Sequence, residues 1–571
     1  MDTTRFSTSP SHDADGKSPH TTHVRRGDFD EFDWQYSDAA AKPSPDLHVT
    51  SIQDSAGRDA SQHDTSVGSS DLEKRSHENP RSQLFLGKPM SIAHEMAFFA
   101  VVSTANFTPH SGFHQTLCIL HIIAADINAT APGQRVWIMA GYGLTVGTFI
   151  LLAGRLGDVY GYKRLFLIGN VWFAVFSVLA GAAAFAPHDA RFAVFLFARV
   201  LQGVGPALLI PNAVALMGIT YVPGPRKAML FAIFGAMAPA SAIISPALTA
   251  LVTQLAWWPY AFWGLALVLV GVTVAGIYVI PEGVERETPR IRPSGLRALC
   301  AELDVLGAAT GVTGLALISV AWNQGSLAGW QQPYVSVLLG LGLLLCGAFV
   351  LVERRAAKPL IPLEALSSGV AFVLAAVFCG WGCFGIWIYY VWGFYEVLRG
   401  ASPLLATAWH SPIFVSGIAA AITTGFVIHR VGPAVVMAIA LLAFTAGSVL
   451  IATAPVDQSY WAQTFLCNLV ITWGMDLSFP AATLMLSDLV AAEHQGIAAS
   501  LVTTVVNYSG ALALGIAGTV EFHVNNGGTT PGDILRGYRG AWYVGIGLGI
   551  VGLVVSLIFA WKFSRRQKGG A

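Results

Sequence analysis

Charge is what this chain carries least of. Only 12% of its 571 residues are Asp, Glu, Lys or Arg while 54% are hydrophobic, a balance that no ordinary soluble chain of this length shows. The formal net charge is zero and no basic stripe stands outside short loops, which excludes a nucleic-acid role. Cysteine is scarce. Cys118, Cys300, Cys346, Cys379, Cys383 and Cys467 lie in or beside apolar runs without metal-ligand clustering, and the i, i+4 pair Cys379 and Cys383 is too wide for redox C-x-x-C, so all six read as packing residues. The phosphate-cradling G-x-x-x-x-G-K-[S/T] is missing, which excludes an ATP-driven pump. Neither H-E-x-x-H, G-x-S-x-G nor a paired-acid motif stands in an apolar run, which argues against an intramembrane enzyme. No metal or cofactor is expected.

What is present is a series of apolar runs, around 93–122, 136–154, 164–186, 192–217, 228–252, 259–280, 304–322, 334–352, 370–395, 404–427, 434–454, 461–487, 497–519 and 541–561. A bilayer takes about 20 apolar residues to cross as a helix, so the chain reads as an all-α polytopic membrane protein of about fourteen spans. Residues 1–92 differ: His, Asp, Ser, Thr and Lys dominate with no helical period, which predicts a disordered cytosolic tail too polar for a secretory signal.

Alternate loops hold the basic residues: Arg155, Lys163 and Arg164; Arg226 and Lys227; Arg286 to Arg297; Arg354, Arg355 and Lys358; Arg430; and Lys562 to Lys568. The positive-inside rule places these loops, and both termini, in the cytosol. Asn128-Ala-Thr130 is an N-glycosylation sequon that this topology places outside.

The most telling stretch is Gly154-Arg-Leu-Gly-Asp158-Val-Tyr-Gly161-Tyr-Lys163-Arg164, charged residues between two oily runs. It predicts a hairpin in which Gly161 supplies positive φ and Gly154 permits close helix approach. The stretch resembles the signature G-x-L-x-D-x-x-G-x-K of the major facilitator superfamily, with Val159 and Tyr162 where basic residues are usual. A faded copy follows at Gly425-Phe-Val-Ile-His429-Arg430-Val-Gly432, and Arg199, Gly205 and Pro211 have the spacing of Asn468, Gly474 and Pro480. The repeat predicts two six-helix halves, 93–280 and 370–563, with an inserted loop and helix pair at 281–369 and a short tail at 564–571.

Arg199-Val-Leu-Gln202-Gly203-Val-Gly205-Pro206, Trp257-Trp-Pro-Tyr-Ala-Phe-Trp263, Trp473-Gly-Met-Asp476 and His494-Gln-Gly-Ile-Ala-Ala-Ser500 extend the resemblance. With the inserted pair, they are similar to the fourteen-spanner drug:proton antiporter branch and to fungal aminotriazole-resistance exporters. The fifth-span antiport element departs from that pattern: Ser241 to Ala250 keeps Pro246 but replaces glycine by Ala, Ser and Thr. Small residues still allow close helix packing.

An ionisable group at bilayer depth costs about 3 kcal/mol and by default faces protein or a wet cavity. The resemblance implies that Arg199 assists proton transfer; the other reading is an arginine bonded to backbone carbonyls. Asp476 is either a proton carrier, as a desolvated carboxylate can be, or an acid locked to Asn468, Trp473 or a first-span histidine. His110 and His114, i, i+4 after Pro109, and Gln115 are cavity candidates or satisfied polar groups. Asn212, Trp381, Tyr389, Tyr390 and Trp392 either line a cavity for aromatic or weakly basic compounds or simply pack. The resemblance also implies that Asp158 meets the N-terminus of the helix starting near Gln495–Ile497, where the helix dipole favours an anion. The other reading is a solvated loop acid.

The expected function is therefore export of small organic toxicants by proton antiport and alternating access. A symporter or uniporter for uptake, or a non-transporting sensor, are the alternatives. The plasma membrane is the expected site, or else the vacuolar membrane. A monomer is expected, since Gly545 and Gly549 read as intrachain packing.

Overall fold

Within a bilayer no water satisfies backbone N–H and C=O groups, and a helix satisfies its own. The computed structural model describes residues 90–129, 131–222, 224–281, 295–361, 367–490 and 495–569. Among them, thirteen helical segments are long and apolar enough to cross a membrane. The predicted tail over 1–92 lies almost wholly outside the described residues.

The first half comprises α1 (Ile92–Leu117), α2 (Leu120–Asp126), α3 (Pro132–Tyr160), α4 (Tyr162–Ala182), α5 (Arg191–Gln202), α6 (Val204–Thr220), α7 (Pro225–Leu255) and α8 (Pro259–Val279). A short α9 (Leu296–Glu302) leads into the hairpin α10 (Val305–Ala328) and α11 (Pro333–Glu353). The second half comprises α12 (Ser368–Gly393), α13 (Pro403–His410), α14 (Pro412–Val431), α15 (Pro433–Thr453), α16 (Gln463–Leu489), α17 (Gln495–Val524) and α18 (Pro531–Gly569). Proline opens α3, α7, α8, α11, α13, α14, α15 and α18, where its missing N–H is an orphan in any case and its φ suits the helix. The 26 residues of α1 reach about 39 Å. Its Asn, Thr, His and Gln keep it out of the thirteen apolar spans, and counting it gives fourteen.

Two boundaries differ from the sequence reading. The hairpin predicted over Gly154–Arg164 is a single residue: α3 runs through Asp158 to Tyr160, and Gly161 alone turns the chain at φ 100°. Nothing from Gly154 to Tyr160 breaks a helix. The last span extends from Pro531 to Gly569 rather than 541–561 and takes in most of the predicted tail, because hydropathy registers only the turns inside the apolar slab.

The repeat is visible in backbone and packing. Gly432 turns α14 into α15 at φ 84°, as Gly161 turns α3 into α4. Twelve residues beyond each turn stands a phenylalanine, Phe173 and Phe444, buried against the glycine of the next span, Gly205 and Gly474.

Burial of apolar surface cannot drive helices together in lipid, so close packing of small residues must. Cβ atoms at Gly314 and Gly342 would stand 2.8 Å from Cys346 Sγ and from Ile318, which closes the α10–α11 hairpin. Across the halves α3 packs on α17, α10 lies against both, and α7 meets α13 and α14. Leu343 and Leu344 of α11 point outward, as a lipid-facing surface requires. Gly545 and Gly549 face Cys383 and Thr445 within the chain.

Candidate substrate and proton sites

At the Gly161 end, charged side chains hold helix termini. The Lys163 ammonium donates to the carbonyls of Ile277 (2.9 Å) and Ile280 (2.5 Å) at the end of α8, where the helix dipole favours a cation. Arg155 donates to Pro359 O at 2.8 Å, and Arg226 binds both carboxylate oxygens of Glu95. Asp158 is exposed and accepts from Tyr162 Oη at 2.8 Å. Its predicted contact with the helix start at 495–497 lies outside the described side chains. Gly154 lies near Pro211, and the Asn212 amide fills the space beside Gly157. Asn212 therefore packs α6 on α3 and is not grouped with the histidines.

Arg199 is fully buried in the first half. It donates to Gly112 O (3.1 Å) of α1, to Ile138 O (3.5 Å) of α3 and to Gln202 Oε1 (2.5 Å), and it lies 4.3 Å from the Tyr142 ring centroid. Gln202 passes the chain on to Ser177 Oγ at 2.7 Å, and Tyr142 Oη donates to Pro109 O at 2.7 Å. These bonds give Arg199 a structural load, while its second terminal nitrogen is buried without a partner. Gly203 separates α5 from α6, and a Cβ there would stand 2.5 Å from Tyr142 O. Pro246 lies inside an unbroken α7, and its carbonyl accepts from the Cys118 thiol at 3.9 Å.

Two buried histidines, one in each half, lie within electrostatic reach of one another. His114 is buried, its Nδ1 2.8 Å from His110 O, while the His110 ring bonds Asn106 O. His410, at the end of α13 in the other half, is close enough to interact electrostatically with His114. The His410 ring lies against Trp392 (centroids 5.0 Å apart) and Trp387 (5.9 Å), and its Nδ1 is buried without a hydrogen-bond partner. Gln115 Nε2 is likewise unpartnered. Trp381 instead bonds Ser478 and packs on Phe384 and Phe444 inside the second half.

Asp476 stands apart, with Oδ2 buried, unpartnered and facing Gly417 of α14. Asn468, one partner considered for it, is engaged by Tyr395 and by Trp409 O.

The opposite end carries a pocket lined by His121, Arg135, Tyr389, Tyr390, Trp392, Glu396, Glu521 and Tyr538 among others. His121 Nδ1 lies 2.8 Å from Glu396 Oε2, and Tyr390 Oη donates to Glu521 Oε2 at 2.7 Å. His410, His121, Glu396, Glu521 and Arg135 are not among the residues that the sequence singles out. The usable signal was the acid itself: Glu396 and Glu521 each sit within a residue or two of an apolar run. Asn128, in the loop before α3, is exposed with φ 60°; Thr130 of its sequon lies outside the described residues.

Two helical halves joined across buried polar groups define a two-half membrane transporter rather than an enzyme. The chain belongs to the Major Facilitator Superfamily, whose model matches residues 100–514. It is 48% identical to the "Low affinity ammonium transporter" of Saccharomyces cerevisiae, covering 84% of this chain and 91% of that one. It is 42% identical to "Efflux pump terJ" of Aspergillus terreus (86% and 92% covered) and 34% identical to the "Aminotriazole resistance protein" of S. cerevisiae (81% and 84%). Among solved structures, the POT family transporter PepTSo shares the fold at TM-score 0.60 and 15% identity, over 82% of this chain and 98% of that chain.

Proposed function

We propose that this transporter exports small, aromatic or weakly basic nitrogen compounds in exchange for protons, with the Gly161 end in the cytosol and the substrate held between the halves. The observation that carries the reading is His410, buried against Trp387 and Trp392 with its Nδ1 unpartnered and within electrostatic reach of His114 in the other half. Two buried imidazoles, one with an open Nδ1 and two indole faces beside it, suit a flat heterocycle with hydrogen-bonding nitrogens. Kinship with a protein described as an efflux pump supports the outward direction.

Coupling to protons is supported by Asp476, whose buried, unpartnered Oδ2 gives a proton a place to bind. Arg199 then serves chiefly to hold α1, α3 and α5 together. A second reading, passage of ammonium or small amines, is favoured by 48% identity to the ammonium transporter. We place the protein in the plasma membrane as a monomer.

The test is proton flux into proteoliposomes of the purified chain, followed with an internal pH dye while aminotriazole or methylammonium is added. Aminotriazole-dependent proton movement that Asp476→Asn abolishes is the expected result. Movement of either compound without proton flux overturns antiport.

A further inference from the structure

Glu396 sits on the only described turn of this chain wound wider than an α-helix. Over Phe394–Leu398 the backbone makes one π turn, with Arg399 N bonded to Phe394 O at 3.1 Å, and such turns often aim a side chain at a functional site. The Glu396 side chain is only 2% exposed; Oε2 meets His121 of the first half, and Oε1 is buried with no hydrogen-bond partner. His121 is 35% exposed, so it is the open member of the pair.

The polar groups that line the same pocket as Glu396, or lie within electrostatic reach of it, come from several neighbouring elements. Cys118 comes from the end of α1, Arg135 from α3, Tyr389 and Tyr390 from α12, Glu521 from α17 and Tyr538 from α18. Arg135 is close enough to Glu521 and these tyrosines for electrostatic interaction, while its Nε has no hydrogen-bond partner. The nearby Arg399 and Arg539 are turned to the carbonyls of Pro455 and Ala454, and Arg191 is paired with Asp126. The pocket thus contains two carboxylates, one guanidinium and one imidazole, and with neutral histidine its charge is −1. A buried net charge is costly unless neutralised.

We infer that the Glu396–His121–Arg135–Glu521 cluster is a binding site for one proton, taken from the water at that end through His121, and that its occupancy keeps the two halves closed there. Adding the proton, on the imidazole or on a carboxylate, brings the cluster to zero charge; losing it favours separation of His121 from Glu396 and entry of water. This deepens the proton-coupled reading and adds a second proton site, in the outer closure.

The experiment reads closure without any substrate. Buried Cys118 beside the cluster reports opening through its reaction with a maleimide in detergent-purified full-length protein, resolved from the other cysteines by peptide mass spectrometry. Labelling of Cys118, divided by that of the exposed Cys300 in the same sample so that the thiolate's own rise with pH cancels, should rise with pH between 5 and 8, by at most about tenfold per unit for one linked proton. Glu396→Gln and Glu521→Gln each remove one negative charge, so both should hold that ratio low and independent of pH. Agreement between two acids on different helices is what charge counting requires and what loss of a single hydrogen bond does not produce.

A wild-type ratio of Cys118 to Cys300 labelling that does not change with pH overturns the site, as does a Glu521→Gln protein that keeps the wild-type profile. A pH-dependent Cys118 in a protein that shows no substrate-linked proton flux supports the cluster and removes the antiport reading. Flux with a flat Cys118 profile does the reverse.

Discussion

Phe173 occupies the space that Gly205 leaves bare: a Cβ on residue 205 would stand 2.6 Å from Phe173 Cβ. Phe444 does the same at Gly474, with its Cγ 2.5 Å from the corresponding point. Each half is thus locked internally by the same device. Gly205→Ala and Gly474→Ala should each cost about 1–3 kcal/mol through overpacking. Thermal unfolding in detergent checks this, and an unchanged midpoint for both would mean the helices separate freely.

Lys163 neutralises the carbonyl end of α8. Lys163→Met should lower stability by about 1 kcal/mol, seen as a lower unfolding midpoint. Asp158 on the same turn is exposed, so Asp158→Asn should leave expression and stability alone yet cripple transport. Normal flux in reconstituted Asp158→Asn protein would reduce this acid to a marker of the turn.

Arg199 offers several donors to acceptors on three helices. Lysine carries the same charge without the planar fork. Arg199→Lys should therefore strand Gln202 and Gly112 O and cost about 2 kcal/mol, read by thermal unfolding, with transport falling in parallel. Full stability with lost transport would show instead that the guanidinium acts in proton transfer.

His410→Phe keeps a ring against Trp387 and Trp392 but removes the open Nδ1. Stability should change little, whereas aminotriazole binding by calorimetry should weaken about tenfold, the equivalent of 1.4 kcal/mol. Equal binding by the variant would place the substrate elsewhere.

The span pattern was legible because each apolar run reports its own environment, and the two turns were legible because Gly161 and Gly432 provide a conformation that other residues resist. Arg199 and Asp476 stood out as charges in oil. The repeat of glycines and prolines likewise survived in the sequence, since each small residue marks a close helix approach.

Which polar groups meet was decided by the tertiary structure. His114 and His410 are nearly 300 residues apart, and the pairing of His121 with Glu396 depends on how α2 and the π turn after α12 are rotated towards each other. The same rotation took Asn212 and Trp381 away from the centre and into packing. Sequence by itself determined that this chain spans a membrane about fourteen times as two related halves, because hydropathy and backbone strain are local. The sites between the halves belong to the tertiary structure, because helix rotation is set by the sum of many small packing contacts, with no single residue dictating it.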